Sequence, residues 1–230
     1  MPTRFRSALL WLAPVLLASP IVAAALQTTP AANVTAPTVT LPTLKFTTPN
    51  AARGAQISAN CAGCHGVGGV SKDEAVPSLA GQVASFTRQQ LVTFKAKLLP
   101  DPTMQNIAGR LTDQDMADIA AHFATLTPGP AWKGADAAVR AQGAALYAKG
   151  DPARNLIACS VCHGADGRGN DALVMPSIAN LAPAYAEGKL AEYRETVPYA
   201  YPSPQAMHAA AQGLTDEELT ALAAYVSSLK

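Results

Sequence analysis

Apolar side chains recur at Met116, Ile119, Ala120, Phe123 and Leu126, and again at Leu219, Leu222, Ala223, Val226 and Leu229. The spacing i, i+3, i+4, i+7 and i+10 marks one face of a helix in each case. Both helices carry the same start signal. Thr215 with Glu218 forms a capping box, and Thr112 with Asp115 is its shorter acidic variant. Leu111-Thr112-Asp113-Gln114-Asp115 recurs as Leu214-Thr215-Asp216-Glu217-Glu218, 103 positions later. Pro128-Gly129-Pro130 stops the first of the two helices. The pattern predicts an all-α chain of two tandem domains, 51–130 and 131–230, too long to be solenoid repeats.

The 50 residues before the repeat are different. Arg4 and Arg6 precede an uncharged stretch from Ser7 to Leu26, and Ala23 and Ala25 fit a small-x-small cleavage site. This predicts an export signal over 1–25, the alternative being a retained anchor interrupted by Pro14 and Pro20. Residues 26–50 read as an extended Pro/Thr-rich linker, because 27–50 hold eight Thr, four Pro and a single charge, Lys45. The body of the protein is expected in the periplasm, soluble or tethered to the inner membrane by its N-terminal segment.

Composition narrows the function classes. The chain of 230 residues is 49% apolar but only 6% aromatic, so side-chain volume for a core is scarce and something else is needed to fill it. The formal net charge of +1 argues against a nucleic-acid partner. Residues 51–130 hold six basic and six acidic side chains, and 131–230 hold eight and ten, without a run of one sign. Strong electrostatic steering of a partner is not indicated.

The chemistry lies in the cysteines. All four fall in two motifs, Cys61-Ala62-Gly63-Cys64-His65 and Cys159-Ser160-Val161-Cys162-His163. Cys-x-x-Cys-His is the signature of c-type haem attachment: two thiols bond the haem vinyl groups and the adjacent imidazole meets the iron. A four-cysteine zinc site would have to join pairs separated by 94 residues. A thioredoxin-like dithiol would sit on a βαβ pattern, and two disulfides would leave both histidines unexplained. The motifs therefore predict two covalently bound haem c groups.

The repeat also nominates the second axial ligands. Met104 lies seven residues before Leu111, and Met207 seven before Leu214. Each follows a proline-punctuated stretch, Pro100-Asp101-Pro102 and Pro202-Ser203-Pro204, read as a stiff loop presenting a thioether. Met116 and Met175 correspond to Leu219 and Val76 and read as packing residues. His208 is the rival to Met207, although its counterpart is Gln105; His122 reads as a packing residue.

The chain resembles a diheme class I cytochrome c of the cytochrome c4 type from about residue 51 to 230. Pro77-Ser78-Leu79-Ala80-Gly81-Gln82 followed by Gln90-Leu91-Val92-Thr93-Phe94-Lys95 carries the likeness beyond the haem motifs. The resemblance implies that the Pro77 carbonyl orients His65, and that Pro176 does the same for His163. A ligating imidazole needs such a partner on its other nitrogen. The second domain departs from the pattern at Pro176-Ser177-Ile178-Ala179-Asn180, and its middle helix, around Tyr185 to Val197, reads as shorter. In each domain the first helix is expected to end at the haem motif, with Gly54 and Gly143 letting it approach the last helix near Phe123 and Tyr225.

An iron held by His and Met has no vacant position for substrate, so the expected task is outer-sphere electron transfer rather than catalysis. The resemblance implies redox proteins or membrane respiratory complexes as partners, toward a terminal oxidase or reductase. The alternative is a haem subunit accepting electrons from a dedicated dehydrogenase. A diheme peroxidase would need one exchangeable ligand, which two matching methionines argue against.

Overall fold

A computed structural model describes residues 39–133, 135–195 and 202–230. The expected export signal and the start of the linker lie outside the described residues. The first half contains α1 (Ala51–Ile57), α2 (Ala84–Lys95), α3 (Pro102–Gly109) and α4 (Asp113–Thr125). The second contains α5 (Ala137–Lys149), α6 (Pro183–Glu195), α7 (Pro202–Ala211) and α8 (Asp216–Val226). Among the described residues there is no strand, only two isolated β-bridges, Asp151 with Leu156 and Asn170 with Met175.

Each half is built on the crossing of its first and last helices, α1 with α4 and α5 with α8. Glycine permits that crossing. A Cβ on Gly54 would lie 2.0 Å from the Asp118 carbonyl oxygen, and one on Gly143 would lie 1.9 Å from that of Ala221. The side chains that meet these glycines are His122 and Tyr225, so His122 takes the place expected for Phe123. Both last helices begin with a full capping box, Thr112 with Asp115 and Thr215 with Glu218. The predicted apolar stripes face inward. Met116, Ile119 and Phe123 join Leu91 and Val92 in one core, and Leu222, Ala223 and Val226 join Tyr147 and Ala186 in the other.

Three expectations need correction. Met104 and Met207 stand on helices rather than in loops: Pro102, at the first helical position, starts α3 behind its Asp101 cap, and Pro202 lies within the described part of α7. The middle helix of the second half is not shorter: α6 has 13 residues and α2 has 12. Its expected end at Val197 lies outside the described residues. Finally, α5 stops well before its motif. Gly143 follows Gly54 by 89 positions whereas Cys159 follows Cys61 by 98, so nine extra residues lie between them. They form a turn closed by the Asp151–Leu156 bridge.

The described part of the linker, 39–50, has neither helix nor strand, yet it is not free. Lys45 N–H donates to Asp113, Thr47 N–H to Gln114, and Asn50 N–H to Asp118, which lays the segment along α4. Leu44 packs on the first core, and the Arg88 guanidinium stands 5.6 Å from the Phe46 ring centre.

The two halves also touch. Asn180 donates through Nδ2 to the Gly129 carbonyl at 2.8 Å, and Ser85 donates through its backbone N–H to Asp171 at 2.6 Å. Gln82 bonds Ser177 twice, its Oε1 accepting from the Ser177 N–H at 2.8 Å and its Nε2 donating to the Ser177 carbonyl at 2.9 Å.

Candidate functional site

Cys61 ends a 3₁₀ turn, Ser58–Cys61, that continues α1 directly into the helical turn Ala62–His65. The second motif runs through the equivalent turn, Ser160–His163. Each turn ends on a glycine with φ of +80°, Gly66 and Gly164, which reverses the chain. The reversed chain then comes back over the motif. The Gly69 carbonyl accepts from the N–H groups of Leu79 and Ala80, and the Gly167 carbonyl from those of Ile178 and Ala179.

That return places a prolyl carbonyl against each imidazole. His65 Nδ1 lies 2.8 Å from Pro77 O, and His163 Nδ1 lies 2.9 Å from Pro176 O. With Nδ1 donating to the carbonyl, the neutral ring keeps its Nε2 lone pair free to bind a metal. Burial pushes the His163 pKa below its ordinary value, against the opposing effect of the Pro176 bond, so the ring is held neutral.

None of the four cysteines is joined in a disulfide. Cys61 and Cys159 are half-buried against the two cores, while Cys64 and Cys162 are exposed. Burial raises the Cys61 thiol and pushes Cys159 up to about 11. A redox dithiol or a zinc thiolate calls for the opposite shift. Among the described residues no group of three or more His, Cys, Asp or Glu side chains is placed to hold a metal ion.

The methionines divide as follows. Met104 is half-buried and packs on the first core, with its N–H held at 2.9 Å by the Asp101 side chain that caps α3. Met207 is half-buried on α7. Met116 is fully buried in the first core, as its packing role requires. Met175 is paired through its backbone with Asn170. His208 turns toward α6, its Nδ1 2.6 Å from the Tyr193 carbonyl. Successive helical residues point about 100° apart, so Met207 and His208 address different neighbours.

The donor set fits haem. Each half offers two unpaired thiols, one imidazole with its outer nitrogen engaged, and one half-buried thioether. Apolar surface accompanies them: Val67 beside the first motif is 88% exposed, and Val161 inside the second is 73% exposed. A flat apolar group gives these side chains something to cover.

Sequence reasoning missed two polar features around this frame. Asp118 is buried on α4 and bonded to Arg53, Asn50 and Gln114. It lies off the stripe of 116, 119, 120 and 123, on the face that meets Gly54, so its position in the sequence looked like that of an ordinary exposed carboxylate. Tyr147 is buried on α5 and donates to the Gly164 carbonyl at 2.5 Å, tying the helix to the residue after His163. It follows Gly143 by four, on the same helical face.

Comparison with known proteins agrees with this geometry. The cytochrome c family model matches residues 51–127 and again 140–230. Cytochrome c4 of Thiocapsa roseopersicina is 34% identical over 172 residues, 74% of this chain and 86% of that protein. The crystal structure of reduced recombinant cytochrome c4 from Pseudomonas stutzeri superposes with a TM-score of 0.74 at 30% identity, covering 79% of this chain and 100% of that one. A Stutzerimonas stutzeri protein described as a thiosulfate dehydrogenase electron acceptor is 32% identical over 171 residues, 74% of this chain and 78% of it. With one Cys-x-x-Cys-His motif in each matched segment, this chain belongs to the cytochrome c family as a diheme, electron-carrying member similar to cytochromes c4.

Proposed function

We propose that the chain is an exported electron shuttle in which His65 and Met104 ligate one iron and His163 and Met207 the other. Cys61 and Cys64 would hold the first haem, and Cys159 and Cys162 the second, in domains spanning 51–130 and 131–230. When bound, haem supplies a reversible one-electron couple. The observation that carries the reading is the pair of prolyl contacts, because both motif imidazoles have the same nitrogen engaged and the same nitrogen left for iron.

The chain's own groups do the rest. The prolyl carbonyls fix the tautomer and plane of each ring. The thioethers, being soft and neutral, favour the reduced ion and raise the potential. Two protein ligands leave no open position, so electrons enter and leave without substrate binding. The balance of basic and acidic side chains in both halves, with no run of one sign, suits a partner that docks briefly without strong charge steering.

The partners are redox proteins. We infer delivery toward a terminal oxidase or reductase, with a periplasmic location set by the signal over 1–25; a retained signal would tether the protein to the membrane. Among the described residues no helix is long and apolar enough to cross a membrane. A second reading, acceptance of electrons from a dedicated dehydrogenase, is favoured by the thiosulfate dehydrogenase electron acceptor among the relatives. Stopped-flow mixing tests both. Reduced protein oxidised rapidly by membranes containing a terminal oxidase supports the shuttle. Rapid reduction by a periplasmic dehydrogenase, with no oxidation by membranes, supports the second reading.

A further inference from the structure

The double bond between Gln82 and Ser177 reaches the second haem site through one peptide group. Pro176 supplies the carbonyl that faces His163 Nδ1 at 2.9 Å. Ser177 supplies the N–H of that same peptide, and it donates to Gln82 Oε1 at 2.8 Å. The three groups form a chain: imidazole N–H to peptide carbonyl, then peptide N–H to side-chain amide oxygen.

The orientation of Gln82 is well determined. Its Oε1 accepts from two backbone N–H groups, those of Ser177 and Val83, and its Nε2 donates to the Ser177 carbonyl. A flipped amide would oppose donor to donor twice. Gln82 is positioned by its own turn, where Gly81 has φ of +74° and the Gln82 N–H bonds the Leu79 carbonyl.

We propose that Gln82, a residue of the first domain, is a positioning residue that tunes the haem of the second. A peptide whose N–H is bonded becomes more polar, and its carbonyl becomes a stronger acceptor. The Pro176 oxygen then draws the His163 Nδ1 proton more strongly and makes Nε2 more electron-rich. An electron-rich ligand favours oxidised iron, so Gln82 holds the second potential down. The device is one-sided. The position equivalent to Gln82 is Leu181, whose side chain has no acceptor for the Pro77–Ser78 peptide. The proposal rests on His163 being an iron ligand.

The test uses the full holoprotein with Gln82→Leu, Gln82→Glu and Ser85→Ala. The two potentials are followed separately through a redox titration, using the hyperfine-shifted proton resonances of each haem. Gln82→Leu should raise the potential of the His163 haem, leave that of the His65 haem in place, and move the His163 Nδ1–H resonance of the reduced protein upfield. Gln82→Glu keeps an acceptor for the Ser177 N–H, and the His163 haem should stay at or below its original potential. Ser85→Ala removes the Ser85 hydroxyl bond to the Asp171 carbonyl, elsewhere in the same interface, and should move neither haem. An unmoved potential in Gln82→Leu overturns the proposal. So does an equal shift of both haems, or the same shift in Ser85→Ala, since either indicates altered domain docking. Diamagnetic His163 ring signals in the oxidised unaltered protein overturn the ligand assignment itself; paramagnetic signals with an unmoved potential overturn the tuning alone.

Discussion

Arg53 donates through Nη1 to Asp118 at 2.6 Å, joining the first helix of the first half to its last. Asp118 is only 1% exposed. Burial pushes its carboxyl upward, but donors from Asn50, Arg53 and Gln114 outweigh it and hold the group below its ordinary range. Asp115 is lowered in the same way, burial being outweighed by Thr112 and Arg53. A depressed native pKa stabilises the fold above the ordinary carboxylate value, and the contribution disappears as pH falls through the depressed one. The thermal midpoint should therefore stay level above about pH 5 and drop below about pH 4. Asp118→Ala should cost about 1–3 kcal/mol at neutral pH, by stranding the Asn50 N–H, and should flatten the acid limb. A variant with an unchanged acid limb would remove Asp118 as its source.

Replacing Met104 or Met207 by Ala tests the axial assignment. Each variant should keep both haems, because attachment depends on the cysteines. Each should lower the potential of one haem and remove about half of the weak sulfur-to-iron absorption at the red edge of the oxidised spectrum, if the haems contribute equally. Met116→Ala and Met175→Ala should leave that band intact. In Met116, which is fully buried, the loss should appear as about 2–5 kcal/mol of stability. If Met207→Ala leaves the band and both potentials unchanged, His208 or Met175 becomes the ligand to examine.

Intact mass offers a direct count of cofactors. The exported protein should carry two haem additions, and Cys159→Ser combined with Cys162→Ser should carry one. A mass fitting one haem in the unaltered protein contradicts its diheme character.

The helix crossings make a fourth prediction, independent of haem chemistry. Gly143→Ala would place a methyl group 1.9 Å from the Ala221 carbonyl oxygen, where backbone rather than a mobile side chain stands in the way. The α5–α8 crossing must open, at about 3 kcal/mol, the upper end of usual overpacking costs. Gly188→Ala, with nothing within 4 Å of the added carbon, should be neutral or slightly stabilising. Comparing the two denaturant midpoints checks the assignment.

How much of this was legible in the sequence depended on the distance over which each feature acts. The capping boxes at Thr112 and Thr215 are local, spanning three residues, and they formed as read. The amphipathic stripes of α4 and α8 repeat within single helices and were equally plain. The setting of Met104 and Met207 was misread for a local reason: the proline-punctuated stretches were taken as loops, although Pro102 opens a helix and Pro202 is part of one. The linker shows the opposite failure. Its composition correctly excluded a helix over 39–50, but docking onto Asp113, Gln114 and Asp118 depends on partners nearly 70 positions away. The Gln82–Ser177 clamp spans 95 positions, and no pattern within either segment announces it.

The partner of each motif imidazole is a main-chain oxygen, and that has a genetic consequence. A side-chain partner could be lost by one codon change; the carbonyls of Pro77 and Pro176 survive any substitution that preserves the loop path. The weak points move instead to residues that touch no haem ligand. Gly69 and Gly167, with φ of +72° and +73°, anchor the returning chain segments through their own carbonyls. An added carbon at Gly69 would meet the Phe123 ring at 2.7 Å, and one at Gly167 would meet Leu229 at 2.8 Å. Random mutagenesis screened for loss of colour should therefore hit these two glycines and pass over the prolines, so tolerance to mutation would understate how much the site depends on them.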